Sequence, residues 1–309
     1  MIATLTLNPA LDKSTEMEKL IPEKKMRCQP LLLEAGGGGI NISKAIKELG
    51  GESIAIFPSG GRNGKLVESL LSEQGINMQA IPIEEETREN FVATETSTNK
   101  QYRFVMPGPA LHPATLEACR KFISELDPKP SFLVASGSLP AGVPDDFLAG
   151  LADLCRQKGI RMIVDTSGPA LHKAMEHGLY LLKPNLSELC SLVGKDFLEL
   201  SEIDDAAREV IEKSGCEVVV ASMGPSGAML VTKDYTKRII APSVKKISTV
   251  GAGDSMVAGM LWMLEKNEPL EKAVMYGVAC GTAATMNKGT QLFNKKDVER
   301  LYNWMKQNA

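Results

Sequence analysis

Short apolar runs alternate with stretches of helical period along nearly the whole chain. The runs at 2–7, 54–57, 132–135, 161–164, 180–182, 217–221 and 229–231 are brief and bounded by turn formers, which predicts strands. Between them, apolar positions spaced i, i+3, i+4 and i+7 predict helices near 40–49, 63–73, 114–125, 145–158, 186–193, 202–214, 252–265, 270–286 and 295–307. Alternation of this kind predicts an α/β fold with a mostly parallel central sheet and helices on both faces. In such sheets ligands bind beyond the carboxyl ends of the strands.

Two stretches break the pattern. Residues 12–34 mix polar positions and end in Leu31-Leu32-Leu33, and residues 88–106 read as strands at 91–96 and 101–105 joined by Ser97-Thr98-Asn99-Lys100. Together they predict a small β lid on a core made of residues 1–11, 35–87 and 107–309. Leu31, Leu33, Phe91 and Phe104 on such a lid would invite aggregation unless covered, so a homodimer clasped through the lids is expected. No internal repeat or low-complexity linker marks a second independent domain.

Composition narrows the class. The 309 residues carry 35 basic and 38 acidic side chains, a net charge of −3, which gives no reason to expect nucleic acid or a membrane surface as partner. Six scattered cysteines form no C-x-x-C pair and adjoin no His cluster, which argues for reduced thiols and against a zinc site or disulfide framework. The first residues lack the basic and apolar regions of a signal peptide, and no apolar run is long enough to span a bilayer. A soluble, cytoplasmic, metabolic protein is expected. His112, His172 and His177 are scattered and receive no catalytic role.

The densest chemistry lies in Ser248-Thr249-Val250-Gly251-Ala252-Gly253-Asp254, followed by Met256, Val257, Met260, Leu261 and Leu264 at helical spacing. The run therefore reads as a loop entering a helix. Helix-start N–H groups lack internal partners and favour an anion, and glycines let a ligand approach the backbone closely. Asp254 is a simple helix cap on one reading and a general base beside an anion hole at Gly251, Ala252 and Gly253 on the other. A second glycine run, Gly36-Gly37-Gly38-Gly39-Ile40-Asn41, precedes an amphipathic helix ended by Gly50-Gly51. It is either a hinge or a bare backbone platform for a polyhydroxylated ligand, with Asn41 offering an amide. Its spacing fits neither the dinucleotide fingerprint nor a Walker A loop. Asp12 near the end of the first strand is a turn residue or a ligand contact. Asn185 and Glu188 have the spacing of a capping box, and Gly224 and Gly227 that of a turn between strands.

Taken together, Asn8-Pro9-Ala10-Leu11-Asp12, Gly36–Asn41 and Thr249–Asp254 resemble the two signatures of the ribokinase-like sugar kinases, phosphofructokinase B family. The likeness runs through Tyr102–Gly108, Ser136–Pro140, Lys183-Pro184-Asn185 and Asn287–Thr290, and so spans the chain. It implies ATP-dependent phosphorylation of the C1 hydroxyl of fructose 6-phosphate to fructose 1,6-bisphosphate, with Asp254 as base. It further implies that Asp12, Gly37, Gly38 and Asn41 hold the sugar, and that Arg88 and Ser138 hold its phosphate with Lys25 from a partner subunit's lid; Arg103 and Arg27, further cations on the lid segments, fit a substrate that already carries a phosphate. The nucleotide falls to Lys183, Asn185, Ser222, Gly224, Gly227 and Asn287. Mg2+ falls to Asn185 and Glu188 through water, and a monovalent cation such as K+ to Ser248, Val250, Ala284, Asn287 and Gly289. Gln291 stands where the pattern carries Arg, and Lys24 where it carries Gly. Family members acting on tagatose 6-phosphate or fructose 1-phosphate usually carry a Lys in the glycine run. Both activities remain alternatives, as does a non-catalytic sugar-phosphate sensor, against which the intact Asp254 motif argues.

Overall fold

The computed structural model describes residues 1–287 and 291–308. In its first half the strands are β1 (Ile2–Leu5), β2 (Ala10–Met17), β3 (Leu32–Gly36), β4 (Ser53–Ser59), β5 (Asn77–Pro82), β6 (Arg88–Glu95), β7 (Lys100–Val105) and β8 (Phe132–Ser136). The helices among them are α1 (Gly38–Glu48), α2 (Gly61–Glu73) and α3 (Pro113–Glu125), and α4 (Phe147–Lys158) follows. The second half adds β9 (Arg161–Asp165), α5 (Pro169–Met175), β10 (Leu181–Leu182), α6 (Leu186–Val193), α7 (Ile203–Ser214), β11 (Val218–Ser222), β12 (Ala228–Thr232) and β13 (Thr236–Ile239). Helices α8 (Ala252–Glu265), α9 (Leu270–Ala284) and α10 (Lys295–Gln307) complete the fold.

Nine strands form one sheet in the order β13-β12-β11-β10-β9-β8-β1-β4-β5, parallel except at β12 and β13. Its inner strands are apolar on both faces because both are covered. In β8, Leu133 and Ala135 enter one core with α3, α4 and α7, while Phe132 and Val134 enter another with α1, α8, α9 and α10. Val219 and Val220 of β11 divide the same way.

Helices α8 and α9 are tightly apposed through missing side chains. A Cβ on Gly259 would lie 2.6 Å from Cys280 Sγ, and one on Gly277 would lie 2.7 Å from the Met256 carbonyl oxygen. The approach fixes the axis of α8 and so the position of its first turn.

The second sheet, β3-β2-β6-β7, lies outside this stack. It begins at Ala10 and takes in Gly36, so it reaches past the expected 12–34 boundary at both ends. Leu31, Leu32, Phe104 and Val105 are more than two-fifths exposed at or beside its two edge strands, whereas Leu33 and Phe91 are half-buried. Three elements were not anticipated from periodicity. β5 and β13 are edge strands whose exposed and half-buried positions include polar residues, and α5 is only two turns long with Pro169 at its start.

Candidate active site

Helices α1 and α8 both have glycine at the N-cap, and both first turns face one another. Gly251 takes a left-handed conformation (φ 70°) that turns the chain into α8, and no side chain caps the helix. The N–H groups of Gly253 and Asp254 find no acceptor among the described residues, which is the property expected of an anion site. Asp254 is therefore not the cap of its own helix. Its Oδ2 accepts a hydrogen bond from Asn41 Nδ2 at 2.9 Å.

Asp254 is half-buried as a residue, but its carboxyl is packed among protein atoms. Desolvation, reinforced by the neighbouring Asp165 carboxylate, pushes its pKa up to about 6, against the lowering pull of Asn41, Lys183 and Lys44. Lys183, at the end of β10, is buried and pairs with Asp165 Oδ1 at 3.3 Å. Burial draws the Lys183 pKa down, but Asp165, Glu188 and Asp254 outweigh it and the net shift is upward. A Cβ on Gly253 would touch Lys183 Nζ at 3.4 Å, so the cation sits beside the first turn of α8.

The glycine run is not a hinge, because each member is pressed against a neighbour. A Cβ would lie 2.0 Å from Asp12 Oδ2 at Gly36, 2.2 Å from Ser136 Oγ at Gly38 and 2.6 Å from Thr6 Oγ1 at Gly39. Gly37 adopts φ 126°, which an L side chain rarely tolerates. Asp12 lies within β2 rather than directly after β1, and in register it faces Glu34 on one side and Asn90 on the other. Asn90 Nδ2 donates to Asp12 Oδ1 at 2.8 Å. Burial raises the Asp12 pKa, opposed by Asn90, Lys44 and Arg88.

Arg88, the first residue of β6, donates to the carbonyls of Asn8 (2.9 Å), Met106 (3.1 Å) and Pro9 (3.4 Å). Ser138 accepts from Asn8 Nδ2 at 3.0 Å. Arg103 does not join this group: it is exposed on β7 and reaches Gln101 at 3.4 Å. Lys25 and Arg27 are exposed in the loop between β2 and β3 and make no contact with this chain's own site.

At the far side of Lys183, Asn185 and Glu188 form a complete capping box on α6, with both hydrogen bonds at 2.8–2.9 Å. Asn185 bridges to Ser222, whose amide donates to the Pro184 carbonyl at 2.8 Å, so the two lie side by side at the strand ends. Gly224 (φ 56°) and Gly227 (φ 93°) make the turn into β12, and a Cβ on Gly227 would collide with the Ile239 carbonyl. Ile247 and Ser248 both donate to the Thr285 carbonyl, at 2.7 and 3.2 Å. This ties Ser248 and Val250 to the end of α9, where Ala284 and Asn287 lie. Gly289 lies outside the described residues.

Lys44, Asn90 and Asp165 belong to the cluster but escaped the sequence reading. Asp165 had a signal, a carboxylate closing the apolar run of β9 at its carboxyl end. Lys44 lies three residues beyond Asn41 on α1 and donates to the Ala35 carbonyl at 3.3 Å. Only the pairing of β2 with β6 brings Asn90 to Asp12.

Comparison with known proteins gives the family and the fold. Residues 6–297 match the family described as pfkB family carbohydrate kinase. ATP-dependent 6-phosphofructokinase isozyme 2 of Escherichia coli (strain K12) is 41% identical over 305 residues, covering 98% of each chain. Two solved structures of phosphofructokinase-2 from Escherichia coli each cover 99% of both chains. One, in complex with potassium, superposes with a TM-score of 0.94 at 40% identity. The other, in complex with fructose-6-phosphate, gives 0.93 at 39%. The chain belongs to the pfkB family of carbohydrate kinases, with the ribokinase-like fold.

Proposed function

We propose that this protein is an ATP-dependent 6-phosphofructokinase that transfers the γ-phosphoryl group of ATP to the C1 hydroxyl of fructose 6-phosphate. The observation that carries the reading is the contact of Asn41 with Asp254 between two uncapped helix starts. It sets a base of near-neutral pKa beside free backbone donors. Full-length similarity to a 6-phosphofructokinase supports the choice of substrate.

As the C1 oxygen bonds to the γ-phosphorus and the bond to ADP breaks, the hydroxyl proton passes to Asp254. A base with a pKa of about 6 is mostly ionised at neutral pH yet accepts a proton readily. Such assistance typically contributes roughly 10²–10⁴ in rate. Charge growing on the transferred group meets the N–H groups of Gly253 and Asp254, with the Lys183 cation close by. Asp12, steadied by Asn90, accepts from sugar hydroxyls over the bare backbone of Gly37 and Gly38. Arg88 and Ser138 take the 6-phosphate.

No cluster of three or more His, Cys, Asp or Glu among the described residues could grip a metal directly. Asn185 and Glu188 nevertheless fit a hydrated Mg2+. They are hard oxygen donors, and the capping box occupies one Glu188 oxygen and leaves the other. Bound Mg2+ supplies neutralisation of the β- and γ-phosphate oxygens. Ser248, Val250, Ala284 and Asn287 offer the oxygen donors that suit K+, and the ties through Thr285 hold them together. The exposed Leu31, Leu32, Phe104 and Val105 support a homodimer through the small sheets, which would carry Lys25 and Arg27 towards the partner's site. Six free cysteines support a reducing, cytoplasmic setting.

The deciding experiment measures ADP release with Mg-ATP against fructose 6-phosphate, tagatose 6-phosphate, fructose 1-phosphate and fructose. A kcat/KM preference for fructose 6-phosphate is expected, and a preference for another acceptor overturns the assignment.

A further inference from the structure

Asn8 lies between β1 and β2 and is 8% exposed. It touches both residues assigned to the acceptor's phosphate, with its side chain donating to Ser138 Oγ at 3.0 Å and its carbonyl accepting from Arg88 Nη2 at 2.9 Å. The other side-chain atom, Oδ1, is buried and finds no hydrogen-bond partner among the described residues. A Cβ on Gly108 would lie 2.0 Å from Oδ1, so the amide fills the space that a side chain at 108 would need.

A hydroxyl has one proton and two lone-pair positions. Because Asn8 donates into Ser138 Oγ, the Ser138 proton must point elsewhere, and the hydroxyl presents itself outward as a donor. Arg88 has five N–H groups. Three are spent on the carbonyls of Asn8, Pro9 and Met106, which fixes the plane of the guanidinium and leaves two free. One buried residue thus sets the polarity of Ser138 and helps set the orientation of Arg88.

We propose that Asn8 is a positioning residue for phosphate recognition. By fixing Ser138 as a donor beside an anchored Arg88, it makes the acceptor site select a phosphorylated sugar over a neutral one. This rests on the sugar-phosphate kinase reading above.

The test is Asn8→Asp, which keeps the shape but puts an acceptor where the donor was. The Ser138 proton then turns inward, and a lone pair and a new negative charge face the phosphate. KM for fructose 6-phosphate should rise about tenfold or more, with kcat at saturation held within about twofold. Activity on unphosphorylated fructose should change by less than about twofold, since a neutral sugar does not use the pair. A loss shared equally by both acceptors, or an unchanged KM for fructose 6-phosphate, overturns the proposal. Should Asn8→Asp fail to fold, Asn8→Ala is measured alone and on Ser138→Ala. Losses that do not add are expected, and full additivity refutes action through Ser138. A wild-type enzyme with no preference for fructose 6-phosphate over fructose refutes the assigned function itself. A preference left undiminished by Asn8→Asp refutes only the role of Asn8.

Discussion

Asn41 and Asp254 stand 213 positions apart in sequence and 2.9 Å apart between Nδ2 and Oδ2, so the first turns of α1 and α8 hold one carboxylate between them. The shape-conserving change Asp254→Asn should lower kcat by roughly 10²–10⁴ with little change in sugar KM. It should also stabilise the fold. A carboxyl whose pKa rises from 3.8 unfolded to about 6 folded loses stability as pH climbs through that interval. Above it the ionised group costs on the order of 2–3 kcal/mol. Thermal unfolding at pH 8 should therefore show the variant with the higher midpoint, and the difference should shrink towards pH 4.

The acid limb of kcat/KM should follow the same group, falling below a pH of about 6. Asn41→Leu removes a hydrogen bond that favours the ionised form and should move the limb to higher pH. Asp165→Asn removes a like charge and should move it lower. The substrate phosphate titrates in the same range, so the informative quantity is the displacement between variants. Limbs that coincide in all three proteins would remove Asp254 as the titrating base.

Gly36→Ala drives a methyl into the Asp12 carboxylate, 2.0 Å away. KM for the acceptor sugar should rise by about tenfold, the worth of one good hydrogen bond to a charged group, while KM for ATP stays put. A change confined to ATP would place Asp12 with the wrong substrate.

Gly277→Ala tests the seam between α8 and α9, where the added carbon meets Met260 Cγ at 2.6 Å and the Met256 carbonyl at 2.7 Å. Overpacking of this kind costs about 1–3 kcal/mol. Urea unfolding should report the loss as a lower midpoint with an unchanged slope.

The parallel strands were readable because both faces of the central sheet are buried, which leaves unbroken apolar runs such as 218–221. β5 and β13 were not, because an edge strand has one neighbour and tolerates polar residues such as Asn77 and Lys237. Asp254 and Asn41 were readable from their glycines. The capping box at Asn185 was readable as well, since its spacing is local. Asn90 and Lys44 were not, because their meaning comes from pairing across β2 and β6 and from Ala35, contacts that no local spacing encodes. The family resemblance gives Arg88 a phosphate-binding role alone, and three backbone carbonyls claim most of its donors.

That last arrangement limits how this enzyme can be redesigned. Arg88 rivets the strand-end segment at Asn8 and Pro9 to the chain leaving β7 at Met106, so it is a structural fastener as well as a point of charge. A route to new acceptors that passes through position 88 would loosen the scaffold before it altered selectivity. Ser138, tied to the scaffold by the single side-chain hydrogen bond from Asn8, is the freer position from which a changed preference can be reached by single steps.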